Sequence, residues 1–587
     1  MPHKFHIPVL GLGYSIDTPL KVARYGINST VSIVDDELTE RFRKLHSEKN
    51  NESYIEIRKN DDNARSLRIT AYLNLLDRLV NRQFEGLKAL PFEPGNDLCR
   101  YFEMLPPSSS LKQGYDLMMD YPDGDSKRIF QDILRRAMTR GTIDVNIMSK
   151  VDKMNNVTNT HFPKEQNTDA LAALRGFAMS NLNSSVVLSA GMNPRLYNYI
   201  ATFPDFFPDE QGLLKKKIIL KVSDYRSAQI QAKFLAKKGL WVSEFRVESG
   251  LNCGGHAFAT DGYLIGPVLQ EFKENRKQLY MELFTTYRAA LMEKGIVFNN
   301  PLYQRLSVQG GIGTAEENNF LLSYFQLDAT GWGSPFLLVP EATNVDAETL
   351  KLLENATNSN YYLSNSSPLG ILFNNFRGSS AERQRIERIN RHRPGSPCTK
   401  KYLVSNTEFT QEPICTASRE YQNLKIKQLK SLHLPATQYD ERVNAITEKI
   451  CLCEGLCSSA YIKNDMVKPR ENKAVAICPG PNLAYFTRSY SLDELVSHIY
   501  GCTDLLIEVK RPHLFINELN LYVDYLQKQV QAYAKDLSDK KKQYLLKFKA
   551  ELMKGINYYK VLFSAQTIQS FIDDLYCAEN RLAGLDI

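Results

Sequence analysis

Long apolar runs are missing from this sequence. No window approaches the ~18 consecutive apolar residues that a membrane-crossing helix needs, so no membrane span is expected. The opening residues, Met1-Pro2-His3-Lys4-Phe5-His6, lack the apolar core of a secretory signal. Cysteine is scarce: ten in 587 residues are too few for a disulfide scaffold. Together these absences lead to the expectation of a reducing, cytoplasmic setting, with cysteines as thiols or metal ligands. An excess of one charge is missing too. The 73 basic and 66 acidic residues leave a net charge of +7, which permits a modest attraction for anionic substrates and does not imply nucleic acid. No internal repeat is found.

What is present reads as an ordinary soluble globular chain, 43% hydrophobic and 24% charged. Its length exceeds one ordinary core, although a barrel can use 250 or so residues as one domain. An apolar segment at Ile7 to Leu12 leads to a glycine loop, and Thr18-Pro19 opens a helix that Gly26 closes. Thr18 suits the cap position and Pro19 the first turn. The β-branched run Ser29 to Val34 completes a βαβ unit. Strands are then expected at Thr142 to Met148, Ser185 to Ala190, Lys217 to Val222, Trp241 to Val247, Arg305 to Gln309 and between Ala329 and Leu338. Helices separate most of them, including one capped by Thr314 with Glu316 and Glu317 in its first turn. Eight strands alternating with helices predict an α/β fold, a (β/α)8 TIM barrel over residues 1–345.

Two departures from that rhythm are expected. Residues 35–140 read as a helical insertion after strand two and a candidate lid. Within them, Leu67, Leu73, Leu76 and Leu79 fall broadly on one side of a helix from Ala64 to Leu87. Beyond residue 345, a mixed cysteine-containing region spans 346–510 and amphipathic helices fill 511–587, a mainly helical C-terminal part.

The functional loops of a barrel follow the C-terminal ends of its strands. After strand six comes Glu248-Ser249-Gly250-Leu251-Asn252-Cys253-Gly254-Gly255-His256. Adjacent glycines let backbone approach a ligand, and a histidine beside them can move a proton near neutral pH. After strand seven comes Gly310-Gly311-Ile312-Gly313, and after strand eight begins, Gly331-Trp332-Gly333-Ser334. Tight turns in any barrel collect glycine. Two such turns at strands seven and eight, where barrels bind phosphate, favour phosphate binding.

These residues resemble the flavin-dependent nitronate monooxygenases (2-nitropropane dioxygenase-like barrels) and the related FMN enoyl-acyl-carrier-protein reductases. Gly254-Gly255-His256, Gly310-Gly311-Ile312, Gly333-Ser334-Pro335-Phe336 with Pro340-Glu341-Ala342, Val145-Asn146 and the stretch Pro8 to Tyr25 carry the likeness. It implies FMN as cofactor, its phosphate at Gly310, Gly311, Gly333 and Ser334, with Gly13, Gly254 and Gly255 also binding it. It places Asn146 near the flavin ring and His256 facing flavin or substrate as the catalytic residue. Asn252-Cys253 departs from the family's Glu-Ala. The chain's length is closer to the polyunsaturated-fatty-acid and polyketide enoyl reductases.

The expected function is therefore an FMN-dependent oxidoreductase. It would reduce an unsaturated acyl chain or oxidise a nitronate-like carbon acid, with NAD(P)H as an electron donor. The expected partner is a small-molecule or acyl-carrier-bound substrate; nucleic acid is not expected, and a homodimer is open. The alternatives are a non-catalytic flavin-binding sensor and a flavin enzyme acting on RNA. Elsewhere, Cys451, Cys453 and Cys457, with Cys478 or Cys415 as a fourth ligand, form a candidate zinc or iron–sulfur cluster, the competing reading being free thiols. The basic helix from Ala381 to Arg393 reads as a surface helix, or as a place for a phosphate-rich cofactor.

Overall fold

Parallel strands must be joined by crossovers, and a barrel is what results when eight such units close. The computed structural model describes residues 2–148, 151–154, 166–189, 191–252, 261–298, 300–533, 538–564 and 569–587. Its strands β1 (Phe5–Ile7), β2 (Asn28–Ser32), β3 (Ile143–Ile147), β4 (Ser184–Leu188), β5 (Lys216–Val222), β6 (Val242–Glu248), β7 (Arg305–Gln309) and β8 (Ala329–Gly331) form a closed, all-parallel barrel in sequence order. The ring is sealed where Phe5 and His6 pair with Thr330 and Gly331 of β8.

The helices of the barrel half are α1 (Thr18–Val22), α2 (Asp36–Lys49), α3 (Ala64–Lys88), α4 (Asp97–Glu103), α5 (Ser110–Asp120), α6 (Asp125–Ala137), α7 (Asp169–Ala178), α8 (Pro194–Ile200), α9 (Tyr225–Ala236), α10 (Ile265–Glu293) and α11 (Ala315–Tyr324). Side-chain caps start many of them. Asp35 accepts from Leu38 N, Thr168 from Leu171 N, and Thr314 from Glu317 N as its spacing predicts. The strands are buried on both faces because helices cover the outside. At β6, Trp241 packs among Tyr280, Phe284 and Tyr287 of α10. Burying a large apolar side chain of this kind contributes about 2–3 kcal/mol.

The barrel interior is unusual in being charged. Arg246 lies 2.9 Å from Glu244 and 3.5 Å from Asp144, and Ser307 donates to Glu244 at 2.6 Å. Burial opposes ionisation of Glu244, but Arg246 and Arg305 outweigh it and bring its pKa down to about 2.

Several sequence expectations are corrected here. The first strand is Phe5–Ile7, not Ile7 to Leu12, because Pro8 has no N–H to continue the ladder. Thr18 lies inside the first turn of α1 with its hydroxyl on Ala342 O; Asp17 holds the cap position. Leu67 is exposed, away from the buried Leu73, Leu76 and Leu79. The insertion is not a lid over the mouth. Tyr101 Oη donates to Thr139 O at 3.1 Å, and Arg135 donates to Lys88 O and Leu90 O. Thr139 precedes β3 and Leu90 follows α3, so α4 to α6 cap the N-terminal end of the barrel. The α3 helix is itself a barrel crossover helix, packed on α7 where Gly176 permits close approach to Ile69.

The mouth is covered instead by the C-terminal half. It contains α12 (Ala347–Glu354), the antiparallel hairpin β9 (Tyr361–Ser364) and β10 (Phe373–Phe376), α13 (Ser380–Asn390), α14 (Arg419–Lys430), α15 (Ala436–Thr447), α16 (Leu452–Lys463) and α17 (Leu492–Tyr500). The last helices, α18 (Leu514–Tyr533), α19 (Asp539–Leu562) and α20 (Gln569–Ala583), pack around an aromatic cluster of His513, Phe515, Tyr559, Phe563 and Phe571. This bundle leans on the barrel: Tyr522 Oη accepts from Gly250 N and Tyr559 Oη from Gly266 N. No helix among the described residues is long and apolar enough to cross a membrane.

Candidate functional site

A cleft lies at the C-terminal ends of the strands, holding about 950 Å³ of non-atom space counting its open mouth. Its floor comes from strand ends: Val9, Gly11 and Leu12 after β1, Ser32 and Val34 at β2, Asn146 to Met148 at β3, then Ser189, Lys221 and Glu248. Its roof comes from the C-terminal half, through Phe373, Tyr402, Leu403, Leu452, Cys453 and Leu456. The walls are mainly apolar, with a few polar groups converging on the floor.

Those polar groups are held from below. Glu248 Oε1 accepts from Lys221 Nζ at 3.0 Å, Asn252 Nδ2 at 2.7 Å and Gln309 Nε2 at 2.6 Å. Gln309 Oε1 faces His6 Nε2 at 3.4 Å, so the network continues into the barrel. Burial, then Arg246, pulls the His6 pKa down to about 3, which keeps its ring neutral. Lys221 and Glu248 lie almost wholly buried on adjacent strands. The ammonium carries three donors and Glu248 takes one, so Lys221 is equipped to bind a ligand oxygen at a fixed place. The sequence reading did not single out either residue. The signal was a lone lysine inside Ile218-Ile219-Leu220-Lys221-Val222, a charge in a strand whose two faces are both covered.

The roof is fastened by a second buried network. Asp35 takes a hydrogen bond from Lys400 Nζ, one from Tyr402 Oη at 3.1 Å and one from Cys457 Sγ at 3.4 Å. Burial and then Asp35 and Asp36 hold the Tyr402 phenol well above its ordinary pKa. It therefore stays protonated, with its ring in the cleft wall and its hydroxyl tied to the start of α2.

The structure sorts the expected site residues. Asn146 lines the cleft, as its position on strand three implies. Gly13 does not: its N–H bonds Leu456 O, and a Cβ there would lie 2.9 Å from that of Ala460. Gly13 is small so that α16 can rest on it, and Gly11 reaches the cleft instead. Gly13→Val should push α16 off its seat and cost about 1–3 kcal/mol by overpacking. Urea unfolding at the parent's midpoint would show that α16 moves freely.

Protein groups crowd the strand-seven and strand-eight turns where a phosphate is expected. Gly310, Gly311, Gly333 and Ser334 do not line the cleft. Cβ atoms at Gly310 and Gly311 would meet Asn252 and Leu251. Gly480 approaches Ser334 so closely that a Cβ on it would lie 2.4 Å from Ser334 Oγ. Arg511 Nη2 donates to Gly311 O at 2.6 Å, Asn482 Nδ2 to Ile312 O at 2.8 Å, and His498 Nε2 is 2.8 Å from Gly313 O. A phosphate here would have to displace residues 480–482. Gly254, Gly255, His256 and the neighbouring Cys253 lie outside the described residues.

The cysteine cluster does not assemble. Positions 451, 453 and 457 point to different places around α16: Cys451 to a side pocket, Cys453 to the cleft, Cys457 to Asp35. Burial holds the Cys453 and Cys457 thiols well above their ordinary pKa, so both are protonated as they stand. Among the described residues no group of three or more His, Cys, Asp or Glu is placed to hold a metal.

No family model and no curated protein matches this sequence. Among solved structures, the chain is similar to the enoyl reductase domain of MlnA from the macrolactin biosynthesis cluster of Bacillus amyloliquefaciens, at 14% identity and a TM-score of 0.34, over 68% of this chain and 92% of that one. It is also similar to FabK from Thermotoga maritima, at 12% identity and a TM-score of 0.30, over 65% of this chain and 82% of that one. At these values nothing about the chemistry of this chain follows from either; the barrel itself rests on the strand order and pairing described above.

Proposed function

We propose that this protein is a barrel oxidoreductase whose mouth cleft holds a flavin and an unsaturated or carbon-acid substrate. The observation that carries this reading is the cleft itself, an apolar slot with Lys221, Glu248 and Asn146 converging on its floor. Its apolar walls and polar floor fit the flat ring system of a flavin. Gly480, Asn482 and Arg511 crowd Ser334 and the turn at residues 310–313, leaving little room there for the phosphate of FMN. A bound flavin would supply hydride chemistry, with the protein giving position and electrostatics. Lys221 would donate to a carbonyl or anionic oxygen, and Glu248 keeps that ammonium aimed. Asn146 would add a second hydrogen bond, and Tyr402, Leu403 and Phe373 exclude water from above.

The test starts with the visible spectrum of the purified protein and titration of the apoprotein with riboflavin and FMN. Flavin should bind, with FMN within about threefold of riboflavin because the covered turns add little. Lys221→Met should weaken it at least tenfold. NAD(P)H oxidation with an enoyl thioester or a nitroalkane then separates an enzyme from a sensor. Protein that stays colourless and binds neither flavin removes the proposal. FMN binding a hundredfold tighter than riboflavin would mean that the turns open to a phosphate.

A further inference from the structure

A second pocket lies behind the cysteine segment, on the far side of Leu452 from the cleft. It holds about 360 Å³ of non-atom space, open solvent included, between one face of α13 (Gln384, Arg385, Arg388), the turn at Gly395 and Ser396, and the segment from Lys449 to Cys451. Three cations line it, and no aspartate or glutamate does. Gln384 and Asn472, hydrogen-bonded to each other at 2.9 Å, add amides to its wall.

A fourth cation stands against it. Arg419 opens α14, and a Cβ on the pocket residue Gly395 would lie 2.7 Å from the Arg419 backbone. The Arg419 Nε is buried and has no hydrogen-bond partner. Among these cations Arg385 is neutralised by Glu382, and Lys449 donates to Asn365 O. Arg388 has no such carboxylate. Burial, then the nearby Arg419, lowers its pKa from the ordinary arginine value, with Cys451 and Glu454 acting in the opposite sense. Glu454 is occupied by Thr399 and Asn472 and does not line the pocket. Arg388 on the wall of this acid-free cavity and Arg419 beside it repel each other unless an anion lies between them. The N-terminus of a 12-residue helix beside them adds to the same field.

We infer that this pocket binds an oxyanion of the phosphate type through Arg388 and Arg419. The planar fork of arginine matches a tetrahedral oxyanion bidentately, and an amide-lined wall satisfies the remaining oxygens. The site is separate from the mouth cleft and stands whether or not the cleft holds a flavin. The same phosphate chemistry could come from free phosphate or from a phosphate ester.

Calorimetric titration of the full chain with inorganic phosphate and with coenzyme A, against sodium chloride of equal ionic strength, tests this. Saturable binding is expected for at least one probe. It should weaken at least tenfold in Arg388→Gln and in Arg419→Gln, and stay unchanged in Arg391→Gln, which removes an exposed charge just past the end of the same helix. Equal affinity for both probes identifies a free-anion site. Tighter coenzyme A that is still lost in Arg388→Gln identifies a phosphate ester. Absence of saturable binding to the parent, or equal weakening in all three variants, overturns the inference. Should Arg419→Gln fail to fold, Arg388→Gln and Lys449→Gln carry the same comparison.

Discussion

Arg511→Met is expected to cost about 3–5 kcal/mol of folding stability. Arg511 and Glu317 form a buried pair, each side chain 3% exposed, with Nη1 to Oε1 at 2.6 Å. Glu317 also accepts from Gly313 N and Leu514 N, and Arg511 also bonds Asn482 and Gly311. Removing the cation leaves a carboxylate in a water-free site, which is far costlier than removing both charges. Burial opposes ionisation of Glu317, and Arg511 is the main influence holding its pKa down regardless. Glu317→Gln combined with Arg511→Met should therefore recover a good part of the loss. Chemical denaturation of the two variants and the parent measures it. A single variant no less stable than the double would mean that the pair is not buried in solution.

The second large effect depends on pH. Glu518 of α18 accepts from Ser249 Oγ and from Ile265 N, each at 2.7 Å, and so ties together the two ends of the segment containing Gly254, Gly255 and His256. Burial raises its pKa to about 7, against an ordinary value of 4.5, although its hydrogen bonds pull the other way. Between these values the folded state holds a proton that the unfolded chain has released. Stability from this group thus falls as pH rises from about 4.5 to about 7, and the loss is complete above that, amounting to about 3 kcal/mol. Glu518→Gln mimics the protonated acid, since its amide can donate to Ser249 and accept from Ile265. It should match the parent near pH 4.5 and exceed it above pH 7. Thermal melts across this range compare the two, and parallel profiles would mean that Glu518 titrates in the fold as it does in the unfolded chain.

Much of the barrel was legible because β3 to β7 are short apolar or β-branched runs separated by capped helices, a pattern whose period changes at each boundary. The helix Asp169–Ala178 needed only Thr168 and its small residues. The ends of the barrel were not legible. Val9 and Leu10 look like strand, yet Pro8 stops the ladder, Val9 lines the cleft and Leu10 is buried beside it. Which end of the barrel α4 to α6 cover is decided by bonds such as Tyr25 Oη to Asp97, 72 residues apart, and no local pattern encodes that. The glycine turns carried a family pattern, but what fills them is Gly480, Asn482 and Arg511, from a stretch without periodicity. Lys221 was missed because one charge in an apolar run carries no spacing signal; the alternation of Glu244, Arg246 and Glu248 along β6 was the signal for Glu248.

The sealing of the barrel also has a temporal side. β1 and β8 contribute only three residues each to the seam. The chain around residues 490–500 runs across it: Tyr490 N bonds Leu338 O, and Tyr500 Oη meets His3 Nδ1 at 2.8 Å across a sequence separation of 497. A ribosome must release some 500 residues before that strap exists, while the first strands emerge many seconds earlier at ~5–20 residues per second. Between the making of β8 and that of the strap the chain grows by about 170 residues, and over that interval the barrel half stands with its shortest strand pair unbraced, the state in which unpaired strand edges find the wrong partner.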